Sequence, residues 1–254
     1  MFKQFSFLSK AFVLSFFAIA ALAACSSDDN NDYYFDYDQV AGLMAVNTVT
    51  DTEPIQVTLS GNYLGPALNY RAYTGGYLNI FPGSRSTNSL SPYSGNTLSS
   101  VDFTYEKGHY YSVFVTGEKG DYKNIIVEDS LEQLAVTDST AYVRFVNAIP
   151  GEATPEVNII ADNDSLLTTT IDYQEVSEFT AIPAEEISVS ANNQDNINVE
   201  RTLNLEAQKV YTILIVGDPG NSDSFKRTQI RYIENGQLIE DSEDDPEESQ
   251  TNLQ

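Results

Sequence analysis

Apolar and polar positions alternate along most of this chain with a period of two. Val143 and Phe145, Val157 and Ile159, Leu203 and Leu205, and Tyr211, Ile213 and Ile215 all follow that spacing. It is the spacing of strands with one buried face. Thr, Val, Ile and Tyr dominate these runs. Turn residues separate them: Gly61-Asn62, Ala161-Asp162-Asn163-Asp164 and Asp218-Pro219-Gly220-Asn221. Beyond the N-terminal segment no window keeps helical spacing for three turns. The pattern predicts an all-β chain, with about seven short strands per roughly 100 residues, the density of a β-sandwich.

The pattern also repeats. At an offset of 100 residues, Leu43-Met44-Ala45-Val46-Asn47 lies over Val143-Arg144-Phe145-Val146-Asn147, and Phe103-Thr104-Tyr105-Glu106 over Leu203-Asn204-Leu205-Glu206. Tyr111 to Gly117 likewise lies over Tyr211 to Gly217. Small shifts pair Pro54 with Pro155, Leu68-Asn69-Tyr70 with Ile171-Asp172-Tyr173, and Phe81-Pro82 with Ile182-Pro183. So many matches in one order mark a tandem duplication. Residues 41–136 are expected to form the first sandwich and 137–239 the second. Tyr111 and Tyr211 each sit just inside a strand after a turn, where a sandwich tyrosine either bonds back to the turn backbone or simply fills a half-buried strand position.

A run Ala-Tyr-Val-Arg-Phe-Val-Asn-Ala-Ile-Pro at 141–150 is followed by Pro-x-Val-x-Ile at 155–159. Then come Tyr173 to Phe179, Ile182-Pro183-Ala184, and Leu-x-Leu-x-Ala-x-Lys-x-Tyr-Thr at 203–212. This resembles the bacterial domain of unknown function 4397, which occurs as tandem repeats in secreted and lipid-anchored proteins. The resemblance covers both copies and is best in the second. The first lacks the basic-aromatic pair found at Arg144-Phe145 and carries a longer Tyr-rich insert. What the resemblance implies is an Ig-like or transthyretin-like β fold in an extracellular setting, with no activity and no functional residues to transfer.

The N-terminus adds a location. Lys3 and Lys10 precede an apolar stretch from Ala11 to Ala21, shorter than the ~20 residues of a spanning helix, and Leu22-Ala23-Ala24-Cys25 follows. That tetrad resembles a lipoprotein signal, in which Cys25 receives a diacylglyceryl group and becomes the first mature residue after a signal peptide of residues 1–24. An ordinary signal or an uncleaved anchor would give Cys25 no such role, yet the chain's single cysteine falls at the one position that matters. Two or more acyl chains tether firmly where one holds only reversibly, at about 0.8 kcal/mol per buried CH₂. The expected partner is therefore a membrane, reached through lipid on Cys25. The expected setting is the cell envelope, at the outer membrane and facing outward. With that thiol modified, none remains for a disulfide, a metal or cysteine catalysis.

Charge narrows the partners further. Formal net charge is −24, and loss of Lys3 and Lys10 takes the mature chain to about −26. Such a surface repels nucleic acid and anionic headgroups. Acidic residues crowd a spacer at 25–40 and a tail at 240–254, both read as solvated, unstructured segments.

Catalytic chemistry finds little purchase. His109 is the sole histidine and falls in the turn Lys107-Gly108-His109, where the second copy has Lys209. There is no Gly-x-Ser-x-Gly elbow, no glycine-rich phosphate loop and no His/Cys cluster for zinc. Paired carboxylates could cleave glycosides, but 37 acids make chance pairs abundant. Calcium could use the oxygen-rich turns Asp162-Asn163-Asp164 and Asp218 to Asp223, which otherwise read as ordinary Asx turns. No enzyme, no cofactor and no metal site is expected.

Aromatics supply the remaining lead. The first copy holds Tyr63, Tyr70, Tyr73, Tyr77, Phe81 and Tyr93 among Gly, Asn and Ser, and the second has only Tyr173 and Phe179 in that stretch. Tyrosines in such company build adaptable recognition surfaces; equally, they fill a core or cover the contact between copies. The expected role is non-enzymatic binding of a protein or glycan, or an envelope-structural one. The alternative is an accessory subunit of a polysaccharide-processing or transport complex.

Overall fold

A computed structural model describes residues 39–52, 54–151, 154–193 and 195–239. Leu22, Ala23, Ala24, Cys25, most of the acidic spacer and the acidic tail lie outside the described residues. The first copy forms β1 (Ala41–Asn47), β2 (Gln56–Leu59), β3 (Asn62–Tyr63), β4 (Leu78–Ile80), β5 (Gly83–Leu90), β6 (Thr97–Tyr105), β7 (Tyr110–Glu118) and β8 (Asp121–Glu128). The second forms β9 (Thr140–Asn147), β10 (Glu156–Ala161), β11 (Asp164–Thr170), β12 (Thr180–Pro183), β13 (Glu186–Asn192), β14 (Asn198–Asn204), β15 (Lys209–Val216) and β16 (Gln229–Gln237).

Each copy is a sandwich of two four-stranded sheets. The first has sheets β3-β2-β5-β6 and β4-β1-β7-β8; the second has β11-β10-β13-β14 and β12-β9-β15-β16. Adding eight to every strand number converts one copy into the other. Register is duplicated too. Leu43 faces Tyr111 in the parallel β1–β7 pair, and Val143 faces Tyr211 in the parallel β9–β15 pair.

Local devices recur with the topology. The Asn47 side chain donates to the Leu68 carbonyl at 2.9 Å and accepts from the Val49 amide, while Asn147 donates to Ile171 at 3.0 Å and accepts from Ile149. Both asparagines are fully buried, so these bonds satisfy what would otherwise be costly polar groups. The Tyr111 hydroxyl accepts the Glu106 amide at 3.0 Å and the Tyr211 hydroxyl accepts the Glu206 amide at 3.2 Å. Both tyrosines therefore pin the turn that precedes their strand, and burial raises the pKa of each. Gly117 and Gly217 end β7 and β15 at φ 120° and 123°. A Cβ there would come within 2.1 Å of the Asp121 carbonyl oxygen and 2.4 Å of that of Arg227.

One expectation needs correction. The outer-sheet strands β6 and β14 do alternate between covered and exposed positions, but β1, β9 and β15 are buried along almost their whole length. One face of each inner sheet packs inside its own sandwich, through Leu43, Ala45 and Val113 in one copy and Val143, Phe145 and Ile213 in the other. The opposite faces meet in a third core of Met44, Val46, Tyr70 and Phe114 against Val146, Leu214, Val216 and Ile233. Four sheets thus stack in one body, with the two inner sheets sharing a seam. At about 1.5–3 kcal/mol per large apolar side chain buried, the seam stabilises the pair substantially. The half-buried period misled because Met44, Val46, Leu214 and Val216, the residues between the inward ones, are themselves apolar.

Candidate functional site

The most organised polar constellation lies inside the seam. Arg144 on β9 is 2% exposed and Asp129, just past β8, is 1% exposed. Nη1 of Arg144 donates to Oδ1 of Asp129 at 2.5 Å, Nη2 to the Ser112 hydroxyl at 2.9 Å, and Nε to the Thr212 hydroxyl at 2.9 Å. Ser112 in turn donates to Asp129 at 2.7 Å, and Thr212 to Asn235 at 2.7 Å. The Tyr77 hydroxyl donates to Asp129 and accepts from Asn235 Nδ2 at 3.1 Å. Burial, reinforced by the Asp129 carboxylate, raises the Tyr77 pKa, so the phenol stays protonated. The Phe179 and Phe114 rings stand 4.5 and 5.4 Å from the guanidinium.

This set is a modified duplication. Glu128 pairs with Tyr111 and Glu234 with Tyr211, so Asp129 and Asn235 are equivalent positions, as are Ser112 and Thr212. Arg144 stands where the first copy has Met44, and the charge it brings is matched by Asp129 in place of an amide. Every polar atom of the constellation faces another part of the same chain, which gives it a structural role in joining the copies. Sequence reasoning noted Arg144 but not its burial, because its carboxylate partner belongs to the other copy.

The five candidate tyrosines separate into two groups. Tyr70 is buried (3% exposed), and Tyr73 and Tyr77 pack against the seam core. Of the roles the sequence leaves open, Tyr70, Tyr73 and Tyr77 take that of covering the contact between copies: the insert carrying them folds back along β1, with Tyr73 bridged to Val46, and Tyr70 and Tyr73 also line a groove beside Arg71. Val176 bridges Val146 in the same way in the second copy. Tyr63 and Tyr93 instead remain exposed, at 75% and 83%. Tyr93 stands alone on the β5–β6 turn, whereas Tyr63 lines a groove.

That groove, about 410 Å³, lies at the open edge of the first sandwich between β3 and β4. Leu59, Leu64, Leu78 and Ile80 form its apolar lining, and Tyr63 and the 70%-exposed Phe81 flank it. Arg85 also lines it and donates to the carbonyls of Phe81 and Pro82 at 3.3 and 3.2 Å, fixing the loop that presents Phe81. Phe81 was visible in the sequence as part of the aromatic stretch but not as a partner of Tyr63. Two exposed rings beside an apolar trough can cover a flat, partly apolar ligand; nothing in the groove is placed to transfer a proton.

The other sequence candidates resolve locally. His109 lies in the expected turn and shares a hydrogen bond of 2.7 Å with Glu128, which raises its pKa. Glu132, on the short turn Leu131–Gln133, completes a group of three potential metal ligands within 4.8 Å, two of them exposed. Lys209 takes the equivalent place in the second copy and pairs with Glu206 and Glu234. Both copies therefore set a basic side chain against acids here, which accounts for the grouping. Asp162 and Asn163 have positive φ, as a two-residue hairpin turn requires. The Asn221 and Asp223 side chains accept amides two residues ahead, an Asx-turn use of their oxygens.

Several solved structures align with this chain at low similarity. A candidate cell adhesion protein from Bacteroides ovatus aligns over 79% of this chain and 99% of its own, at 8% identity and a TM-score of 0.26. A family 26 carbohydrate-binding module of Eubacterium rectale Amy13K, solved with maltoheptaose, aligns over 77% of this chain and 97% of its own, at 9% identity and a TM-score of 0.25. A candidate cell adhesion protein from Bacteroides fragilis aligns over 75% and 86%, at 12% identity and a TM-score of 0.23. Likenesses this distant transfer no property. No curated protein matches the sequence. The family comparison is decisive by contrast: the model of the domain of unknown function DUF4397 matches residues 41–150 and again 141–253. The chain belongs to the DUF4397 family, as a tandem pair of its domains.

Proposed function

We propose that this chain is a lipid-anchored, non-enzymatic binding protein of the cell envelope, in which two fused sandwiches present a recognition groove on the first. The observation that carries the reading is the Tyr63–Phe81 groove, where two largely exposed aromatic rings flank an apolar trough. Aromatic rings provide contact area at low entropic cost, and an apolar trough with few fixed polar groups suits binding. The inner faces are consumed by the seam, so recognition falls to sheet edges and turns. Anchoring through Cys25 rests on the Leu22-Ala23-Ala24-Cys25 tetrad. An array of glycans and envelope proteins, probed with the full-length protein in mild detergent, tests the reading. Capture of a ligand that Tyr63→Ala with Phe81→Ala abolishes, without loss of thermal stability, is the expected result. Capture unchanged in that variant, or turnover of any array component, would refute it.

A further inference from the structure

Four of the chain's six arginines converge on one corner of the second copy. Arg201 on β14, Arg231 on β16 and Arg227 in the segment before β16 line an open cleft of about 620 Å³. Arg201 and Arg231 continue, with Arg71 from the first copy, into an adjoining groove of about 520 Å³. The two hollows share Arg201 and Arg231 in their walls and so lie side by side, as the two parts of an arginine-lined channel. The first copy has Val101 and Ile125 where the second has Arg201 and Arg231. The cluster is therefore an addition to the second copy and not a property of the duplicated scaffold.

Neutral groups contact Arg71, Arg201 and Arg231. Oε1 of Gln229 accepts from Arg71 Nη1 at 2.6 Å and from Arg231 Nε at 2.8 Å, drawing two guanidinium groups together. Arg201 donates to the Ile230 carbonyl at 3.1 Å and lies 5.0 Å from the Tyr232 ring. Arg71 lies 3.8 Å from the Phe225 ring. Among the described residues, Arg201, Arg227 and Arg231 form no ion pair with a carboxylate, in common with Arg85, Lys107, Lys123 and Lys226 and unlike Lys119, Arg144 and Lys209; what sets the three apart is that they gather in one place. Glu200 does line the cleft, but its Oε1 accepts from Ser188 at 2.6 Å. In a chain with 37 acids and a net charge of −24, three arginines gathered without a carboxylate ion pair among the described residues, Arg201, Arg227 and Arg231, make a locally positive patch.

We infer that this channel binds an acidic glycan, one whose carboxylate or sulfate groups are spaced along a sugar backbone. Guanidinium forks match both oxyanions in planar, two-pronged pairs. Between the arginines the lining is amide and hydroxyl: Asn196, Asn198, Ser224, Thr228 and Gln229, which suit sugar hydroxyls. Phe225 and Tyr232, 45% and 43% exposed, add apolar faces for sugar rings. The surrounding negative field disfavours a densely charged polymer, so spaced charge on a polyhydroxylated chain fits best. This site is separate from the Tyr63–Phe81 groove and goes beyond the role proposed for that groove.

Affinity electrophoresis of the full-length protein in mild detergent tests the inference, with polygalacturonate and chondroitin sulfate as probes and neutral dextran and poly-glutamate as controls. Both acidic glycans should retard the protein, more at low salt than at high, and dextran should not. Arg227→Gln and Arg231→Gln should each weaken binding about tenfold or more, from the loss of a charge-assisted pair. Arg227 has no side-chain partner among the described residues, so its variant leaves the fold intact. A preference between the two glycans distinguishes carboxylate from sulfate. No retardation by either glycan, equal retardation by dextran, tighter binding of poly-glutamate, or unchanged binding in both arginine variants would each overturn the inference. Tyr63→Ala with Phe81→Ala should leave acidic-glycan binding intact; loss there, with Arg227→Gln unaffected, would move the site to the other groove and overturn the assignment made here.

Discussion

Replacing Asp129 with Asn changes one charge at the centre of the seam and leaves the shape almost untouched. The Asn oxygen can still accept from Tyr77 and Ser112, but Arg144, 2% exposed, loses the carboxylate that Nη1 meets at 2.5 Å. An uncompensated buried charge costs about 3–5 kcal/mol. At roughly 2–4 °C per kcal/mol for a body of this size, the melting temperature should fall by roughly 6–20 °C. Arg144→Met, which installs the residue the first copy already has at Met44, should also destabilise, because Asp129 is then the buried charge without a cation. Combining the two removes both charges and makes the seam near-symmetric, with Met at 44 and 144 and Asn at 129 and 235. The double variant should therefore recover at least about 2 kcal/mol relative to the sum of the single ones, within the range seen for residues in direct contact. Denaturant titration of the four proteins measures this cycle. If Asp129→Asn costs less than about 1 kcal/mol, or the two changes add to within about 0.5 kcal/mol, the pair is not the buried, mutually dependent element described above.

Other parts of the structure make independent predictions. Gly117→Ala and Gly217→Ala should each lower stability by about 1–3 kcal/mol or more, since the new Cβ meets backbone oxygen at 2.1 and 2.4 Å where φ is positive; thermal melts check this. Tyr111→Phe and Tyr211→Phe should each cost about 1 kcal/mol through the lost bond to the Glu106 or Glu206 amide, measurable by denaturant midpoint. His109 should titrate above its ordinary value because of its hydrogen bond to Glu128, and Glu128→Gln should bring it back. Since the folded pKa is the higher one, its contribution is present below the unfolded pKa and fades as pH rises through the folded one; an NMR titration of the ring reads both. Cys25→Ser should move the protein from the membrane to the soluble fraction and abolish labelling with radioactive palmitate.

The two copies and their shared register were legible because short-range patterns carry them. The offset of 100 that aligns Leu43 with Val143 reappears as the same parallel pairing beside Tyr111 and Tyr211. The corner role of those tyrosines was one of two that the sequence left open, and the bonds to the Glu106 and Glu206 amides decide for it. The seam was not. Whether Met44 or Leu214 faces solvent or another sheet depends on a contact between units distant in sequence, and apolar residues at alternate positions suit either. For the same reason the sequence left Tyr70, Tyr73 and Tyr77 between a recognition surface and a cover for the contact between copies. Their Gly- and Asn-rich surroundings looked like a binding loop, while the apolar strand beneath them decides their burial. Arg144 and Asp129 lie 15 positions apart, in different copies, and nothing local says that they meet. The arginine channel escaped for a related reason: Arg71, Arg201 and Arg231 are isolated in sequence and converge through the stacking of the copies.

That stacking is the claim on which the rest depends, since it sends binding to outer edges and assembles the channel from both copies. Calorimetric unfolding of the full-length protein tests it most directly. One transition is expected, with calorimetric and van't Hoff enthalpies equal for a unit containing both copies, and Asp129→Asn should lower it as a whole. Two separate transitions, with the variant shifting only one, would contradict a shared seam.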